Sequence, residues 1–170
     1  MSITLDGSNL TTNGVINSAT AQNTTSGTVI DFTGIPAGVK RVTVMFNGVS
    51  TSGTNLLLIQ VGSGSPQSTG YVSTTTNLQN GAAASVNTST SGFAIYQNNA
   101  SEAGYGAFIL CNVGSNAWVC SGSVSITSGA TVHISTSGGV TLSGVLDRVR
   151  ITTVGGTDTF DAGTINILYE

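Results

Sequence analysis

The chain has 170 residues and a net charge of −3 at pH 7, and only 6% of its residues are charged. This length is that of one ordinary domain with a hydrophobic core of its own. Four cations among seven acidic residues cannot supply the basic stripe that nucleic-acid binding needs. There is no run of about 18 apolar residues, so no membrane-spanning helix and no membrane insertion are predicted.

The composition favours strands over helices. Glycine occurs 23 times, and Thr and Val are abundant, which is typical of short strands joined by tight turns. With so few charges, the surface must consist mainly of Ser, Thr, Asn and Gly, as in many secreted or particle-bound β proteins. The first ten residues, MSITLDGSNL, have neither a basic nor an apolar region, so no signal peptide is predicted.

Two parts of the chain differ in their patterning. Residues 1–28 show no sustained apolar period, and we predict an extended N-terminal arm that contacts other chains. A frayed terminus is the alternative. Residues 29–170 are predicted to form one β-sandwich domain.

The first strands are predicted between residues 29 and 61. A short apolar run at Val29–Phe32 comes first, and apolar and polar residues then alternate over Val42–Val49, as in a strand with one buried face. Leu56–Val61 is apolar almost without a break, which predicts a strand covered on both faces. Residues 62–92 have no clear period, so they are either a functional loop or strands that the pattern does not reveal.

Further strands follow in the second half of the chain. A hairpin of Tyr105–Val113 and Ala117–Ile126, with its tip at Ser115-Asn116, would place Cys111 opposite Cys120. The other predicted strands are Phe93–Tyr96, Val132–Ser135, Val140–Leu146, Arg148–Val154 and Ile165–Tyr169. The chain is thus predicted to be all-β, an antiparallel β-sandwich of jelly-roll-like type with about nine or ten strands. We expect five core residues in particular: Val42, Val44, Phe46, Val149 and Ile151.

The cysteines and the single histidine do not predict an active site. We predict that Cys111 and Cys120 are free thiols, because the chain is expected to fold in a reducing cytoplasm; a cross-strand disulfide is the alternative. Two cysteines and one histidine are too few for a zinc site. His133 lies in a short strand with no evident orienting partner, so Cys–His catalysis is not predicted. The chain is therefore predicted to be no enzyme and to need no cofactor.

The few charged residues are predicted to form structural ion pairs. Arg148 and Arg150 alternate with apolar residues, so both lie on one face of a strand, and Asp31 is one expected partner. The ion-pair candidates are Lys40, Arg41, Asp147, Arg148, Arg150, Asp158 and Asp161. Asp158 and Asp161 are also typical turn formers, and a calcium site is the less favoured alternative for them.

Three tyrosines are candidates for contacts at the surface, for example with sugar rings: Tyr71, Tyr96 and Tyr105. The alternative is that they cap the core, as single tyrosines often do in β proteins.

Two segments resemble a module found in tail-fibre-like and other structural proteins of tailed bacteriophages. They are DFTGIPAGVKRVTVMFNGVSTSGTNLLLIQVG at residues 31–62 and LDRVRITTVGGTDTFDAGTINILYE at residues 146–170. The resemblance implies a virion protein that forms a homotrimer, and it brings no catalytic motif. The region 62–104 between the two segments is expected to contact the outside.

These observations predict a non-enzymatic structural protein of a tailed-bacteriophage virion, a short fibre or fibre tip displayed on the particle. It would bind other virion proteins through the arm and would contact the host surface, where a glycan is the candidate ligand. A capsid decoration (cement) protein and a carbohydrate-binding module are the alternatives. A polysaccharide depolymerase is not expected, because the chain is short and has no repeated coils.

Overall fold

The computed structural model describes residues 16–97, 99–100, 102–128 and 130–170. Within these residues the chain forms fourteen β-strands and a single 3-10 turn at Val154–Gly156. The strands are β1 (Asn17–Ser18), β2 (Gln22–Asn23), β3 (Ile30–Thr33), β4 (Arg41–Thr51), β5 (Leu57–Ser63), β6 (Ser65–Pro66), β7 (Val72–Gln79), β8 (Ser85–Ser89), β9 (Phe93–Ile95), β10 (Ala103–Gly114), β11 (Ala117–Ser128), β12 (Ala130–Thr141), β13 (Arg148–Thr153) and β14 (Phe160–Tyr169).

The strands form two antiparallel sheets that enclose one core. The nine-stranded sheet has the order β1-β14-β4-β10-β11-β12-β7-β8, and β2 also pairs with β14. The five-stranded sheet has the order β3-β13-β5-β6, and β9 also pairs with β5. The predicted all-β sandwich is confirmed, although the described residues form more strands than the nine or ten expected.

The predicted core residues are buried as expected. Val42, Val44 and Phe46 point inward from β4, and Val149 and Ile151 point inward from β13. The alternation of apolar and polar residues along these two strands therefore sets their orientation.

Strand β5 is buried on both faces, as its apolar run predicts. Ile59 and Val61 face the core, while Leu58 and Gln60 on the other face are also buried. The chain before β9 covers that second face, because Gln60 Nε2 donates to the Ser91 carbonyl at 2.8 Å.

Residues 62–92 form three strands, β6, β7 and β8, with an inverted hydropathy in β7. Ser73, Thr75 and Asn77 point into the sandwich, whereas Val72 and Leu78 are 75% and 51% exposed. This inversion explains why the apolar pattern does not reveal the strand.

The inward hydroxyl groups bind the backbone of β9. Ala94 N–H donates to Ser73 Oγ at 2.9 Å, and Thr136 Oγ1 donates to the Ala94 carbonyl at 2.7 Å. The Thr75 hydroxyl lies 3.0 Å from that of Thr136. One edge of β9 pairs with β5, so these side chains satisfy buried polar groups that would otherwise have no partner. The polar face of β7 therefore has to turn inward.

Tyr71 likewise binds buried backbone groups, in this case those of Val61 on β5. Its hydroxyl accepts from Val61 N–H at 2.9 Å and lies 3.2 Å from the Val61 carbonyl, to which it donates. Its ring packs edge-on against Phe93 with the ring centres 5.0 Å apart. Burial raises the pKa of this hydroxyl. The prediction that Tyr71 makes surface contacts is wrong, because the side chain is buried between the sheets.

The predicted hairpin is present, but its register differs by one residue. Ser115 and Asn116 form the tip, with φ angles of 47° and 59° that suit a two-residue hairpin turn. An irregularity between Asn112 and Gly114 shifts the pairing, so Cys111 pairs with Val119 rather than with Cys120.

The shifted register places the two thiols on opposite faces of the sheet. Cys120 pairs with Leu110 and is buried, whereas Cys111 is half-buried. The expected placement of Cys111 opposite Cys120 is therefore wrong. Both cysteines are free thiols in this arrangement.

The predicted strand Val140–Leu146 is also wrong. Strand β12 continues without a break to Thr141, and residues 142–147 then cross to the five-stranded sheet. Leu142 and Leu146 are buried within this connection, which gives it an apolar pattern without strand pairing.

The described part of the predicted arm runs along β14. Asn17 pairs with Tyr169 and Gln22 pairs with Ile165, so residues 17–23 cover this edge of the nine-stranded sheet. Residues 1–15 lie outside the described residues, and the contacts predicted for the arm with other chains stay a prediction.

We expect Thr136→Val to destabilise the fold by about 1–3 kcal/mol, because it keeps the shape but leaves the buried Ala94 carbonyl without its donor. Urea unfolding followed by tryptophan fluorescence measures this change. Thr88→Val makes the same chemical change at an exposed position and should have little effect. Equal stabilities of the two variants would contradict the assigned role of Thr136.

Candidate functional site

The surface most suited to an interaction is the exposed side of the nine-stranded sheet, which we call the outer face. It consists of side chains that alternate with core residues on β4, β10, β11, β12, β7 and β8. Its residues are Arg41, Thr43, Met45, Asn47, Val72, Thr74, Thr76, Leu78, Val86, Thr88, Tyr105, Ala107, Ile109, Cys111, Val119, Ser121, Ser123, Ser125, His133, Ser135, Ser137 and Gly139.

Hydroxyl side chains cross the outer face in rows. One row of directly paired residues crosses six neighbouring strands, and all but one of its members carry a hydroxyl group. It runs through Thr43, Ile109, Ser121, Ser137, Thr74 and Thr88. Neighbouring strands lie about 4.8 Å apart, so the face offers closely spaced donors and acceptors.

Exposed apolar side chains lie among these hydroxyls in two groups. Ile109, Val119 and Val72 form the first group, and Gly139, which has no side chain, lies between the two valines. Leu78 and Val86 form the second group, towards the free edge of β8, where Val86 is 61% exposed. Apolar groups at the surface that adjoin polar ones are typical of interaction sites.

The outer face is almost uncharged. Arg41 is the one Lys or Arg among its residues, none is acidic, and Arg41 contacts the Glu170 carboxylate. A neutral surface presents no long-range repulsion to another copy of itself.

The arginines of β13 lie on the other side of the sandwich. Arg148 donates to Asp147 at 2.8 and 3.1 Å, and Arg150 donates to Asp31 at 2.8 and 2.7 Å. Hydrogen bonds from Arg148 lower the pKa of Asp147, and the same pair raises the pKa of Arg148. The hydrogen bond to Asp31 likewise raises the pKa of Arg150. Arg150 and Asp31 are directly paired across β13 and β3, whereas Arg148 and Asp147 are neighbours in sequence at the start of β13, so of the two pairs only the first joins two strands.

The other ion-pair candidates do not join these pairs. Lys40 is exposed and forms no ion pair with any described residue, and Arg41 lies on the opposite sheet. Asp158 is buried and accepts from Asn55 N–H at 2.9 Å and from Asn55 Nδ2 at 2.8 Å. Asp161 accepts from the Ser50 hydroxyl. Both aspartates bind neutral groups: Asp158 attaches the loop before β14 to the chain after β4, and Asp161 on β14 binds Ser50 on β4.

The groups that catalysis or metal binding would need lie apart. Cys120 faces the core and His133 is exposed on the outer face, so the two do not form a nucleophile and base. No group of three or more His, Cys, Asp or Glu suited to a metal ion occurs among the described residues. The described residues also contain no helix that is long and apolar enough to cross a membrane.

The remaining tyrosine candidates reach different surfaces. Tyr105 is exposed on the outer face between Asn47 and Ser125. Tyr96 is partly buried and lines a cleft at one end of the sandwich. The sequence pattern misses Val72 and Leu78 because it assigns apolar residues to the core, whereas both lie on the exposed face of β7.

No family model, no curated protein and no solved structure matches this chain. The likeness to phage structural proteins therefore stays a prediction that rests on the residues quoted for it.

Because Cys111 lies on the outer face and Cys120 faces the core, we predict that the two thiols differ in reactivity. Burial raises the pKa of Cys120 to about 12, so at pH 8 its thiol is both inaccessible and protonated. We expect an aromatic disulfide reagent to modify Cys111 alone in the folded monomer, in a sample dilute enough to leave the outer face uncovered, and both cysteines after unfolding. Mass spectrometry of labelled peptides identifies the site, and Cys111→Ser should remove the native reaction. Fast labelling of native Cys120 would show that the register is wrong.

Proposed function

We propose that the chain is a non-enzymatic structural protein of a tailed-bacteriophage virion, displayed on the particle as a short fibre or fibre tip. The observation that carries this proposal is the outer face, a broad neutral surface with hydroxyl rows and exposed apolar groups. Such a surface forms contacts by shape and many weak hydrogen bonds, which salt affects little.

The fold also supports the likeness that prompted the proposal. The two segments that resemble the phage module supply β3, β4, β5, β13 and β14, and these strands are neighbours in space. Strand β14 pairs with β4, and β13 pairs with both β3 and β5. The segments far apart in sequence thus form one continuous scaffold, to which the chain between them adds most of the outer face.

The partner that best fits the outer face is a second copy of the chain. Two neutral faces can approach without repulsion, and contact would remove Val72, Ile109 and Val119 from water. A homotrimer is the state that the resemblance implies, and the N-terminal arm would attach it to other virion proteins.

A capsid decoration protein is the alternative within the same class. The two functions differ in where the arm would bind: to the capsid shell in a decoration protein, or to a tail or neck component in a fibre. A carbohydrate-binding module is the alternative from another class, and an uncharged cleft lined by Asn87 and Tyr96 favours it.

We expect the purified chain to be an oligomer and Val119→Asp to shift it towards the monomer, because the new carboxylates would face one another in the interface. Native mass spectrometry and light scattering give the mass of each species. Val145→Asp is the matched control, since Val145 is exposed outside the outer face. A monomeric wild type, or equal effects of both variants, would exclude the outer face as the contact.

The virion assignment is tested by proteomics and antibody labelling of purified particles. We expect the chain in the particles, with label at the tail or its fibres. Label spread over the capsid shell would favour the decoration protein, and absence from particles would contradict both functions.

A further inference from the structure

An open cleft of about 520 Å³ lies at one end of the sandwich, away from the outer-face centre. Its walls are the turn at residues 54–56, the chain at residues 87–91, and Tyr96 with Gln97. Its volume lies within the range of about 300–1,000 Å³ that is typical of small-ligand sites.

The lining of the cleft is polar but carries no charge. Among the described residues that line it, the side chains are hydroxyls, carboxamides, the Tyr96 ring and two aliphatic groups, Leu56 and Val154, with no Asp, Glu, Lys, Arg or His. Amides and hydroxyls both donate and accept hydrogen bonds, and an aromatic ring offers a flat apolar surface. A neutral sugar combines the same two properties, since its hydroxyls lie around a ring with apolar C–H faces.

Gln97 forms a buried part of the cleft wall. The residue is only 5% exposed, and its Nε2 donates to Thr51 Oγ1 at 2.8 Å and to the Gly53 carbonyl at 3.3 Å. Its Oε1 is buried as well, so Gln97 fixes the shape of the wall and does not itself offer this oxygen to a ligand.

Other groups of the cleft are already held in place. Asn55 is fixed by the two hydrogen bonds to Asp158. Tyr96 packs against the core. Side chains that are fixed before binding lose little conformational entropy when a ligand arrives.

We propose that this cleft binds a neutral oligosaccharide. The proposal names the chemical class of the host-surface contact and rests on the proposed function only for its biological role. Binding by the purified chain is expected wherever the chain is displayed, so failure of the virion assignment and failure of this proposal are distinguishable.

The test is an array of neutral and acidic glycans probed with the full chain, followed by calorimetry with a bound neutral glycan. We expect Asn87→Ala to weaken binding about five- to tenfold, because it removes a carboxamide from the cleft. Asn80→Ala makes the same change at an exposed turn outside the cleft and should bind like the wild type. Circular dichroism of both variants separates loss of binding from loss of fold.

A second readout is independent of any variant. In a nitrogen-15 NMR spectrum, the Gln97 side-chain amide signals should shift when the neutral glycan is added. Lack of binding to every neutral glycan, binding of acidic glycans alone, or equal affinities of the Asn87 and Asn80 variants would each overturn the proposal.

Discussion

The structure depends on how the backbone of β9 is satisfied inside the sandwich. Both polar backbone groups of Ala94 bind side chains of the opposite sheet: its N–H donates to Ser73 Oγ, and its carbonyl accepts from Thr136 Oγ1. These bonds connect the two sheets at a point where apolar packing alone would leave polar groups buried and unpaired. They also require the polar face of β7 to turn inward, which forces Val72 and Leu78 into solvent. The same constraint therefore produces both the inner connection and the exposed apolar groups.

This link between core and surface gives the proposed function a physical basis. The charge-poor composition makes the outer face neutral, and the inversion of β7 adds apolar groups to its hydroxyl rows. The charges that the chain does have lie mostly elsewhere, where Arg150 pairs with Asp31 and Arg148 with Asp147 on the smaller sheet. The neutral outer face, for which we propose self-association, and the sheet that carries the two ion pairs thus lie on opposite sides of one domain.

The sequence predicts the parts of the fold in which apolar period and burial agree. Strands β4 and β13 follow the simple alternation, and their core residues are buried. Strand β7 could not be predicted, because its inward residues are polar, and one of them, Ser73, binds Ala94 of β9, which is distant in sequence. The predicted pairing of Cys111 with Cys120 is wrong because the irregularity between Asn112 and Gly114 cannot be recognised from the pattern of apolar residues. The cleft could not be predicted from the sequence either, because Asn87 and Gln97 come together only through the arrangement of β7, β8 and β9.

The most direct test is amide hydrogen exchange at Ala94. This amide has no strand partner as acceptor and is bound only by Ser73 Oγ, so it should be protected in the wild type and exchange at least about tenfold faster in Ser73→Ala. The amide of Ile59 within β5 should keep its protection in both proteins. A wild-type Ala94 amide that exchanges freely, or one that is equally protected without the Ser73 hydroxyl, would contradict the account.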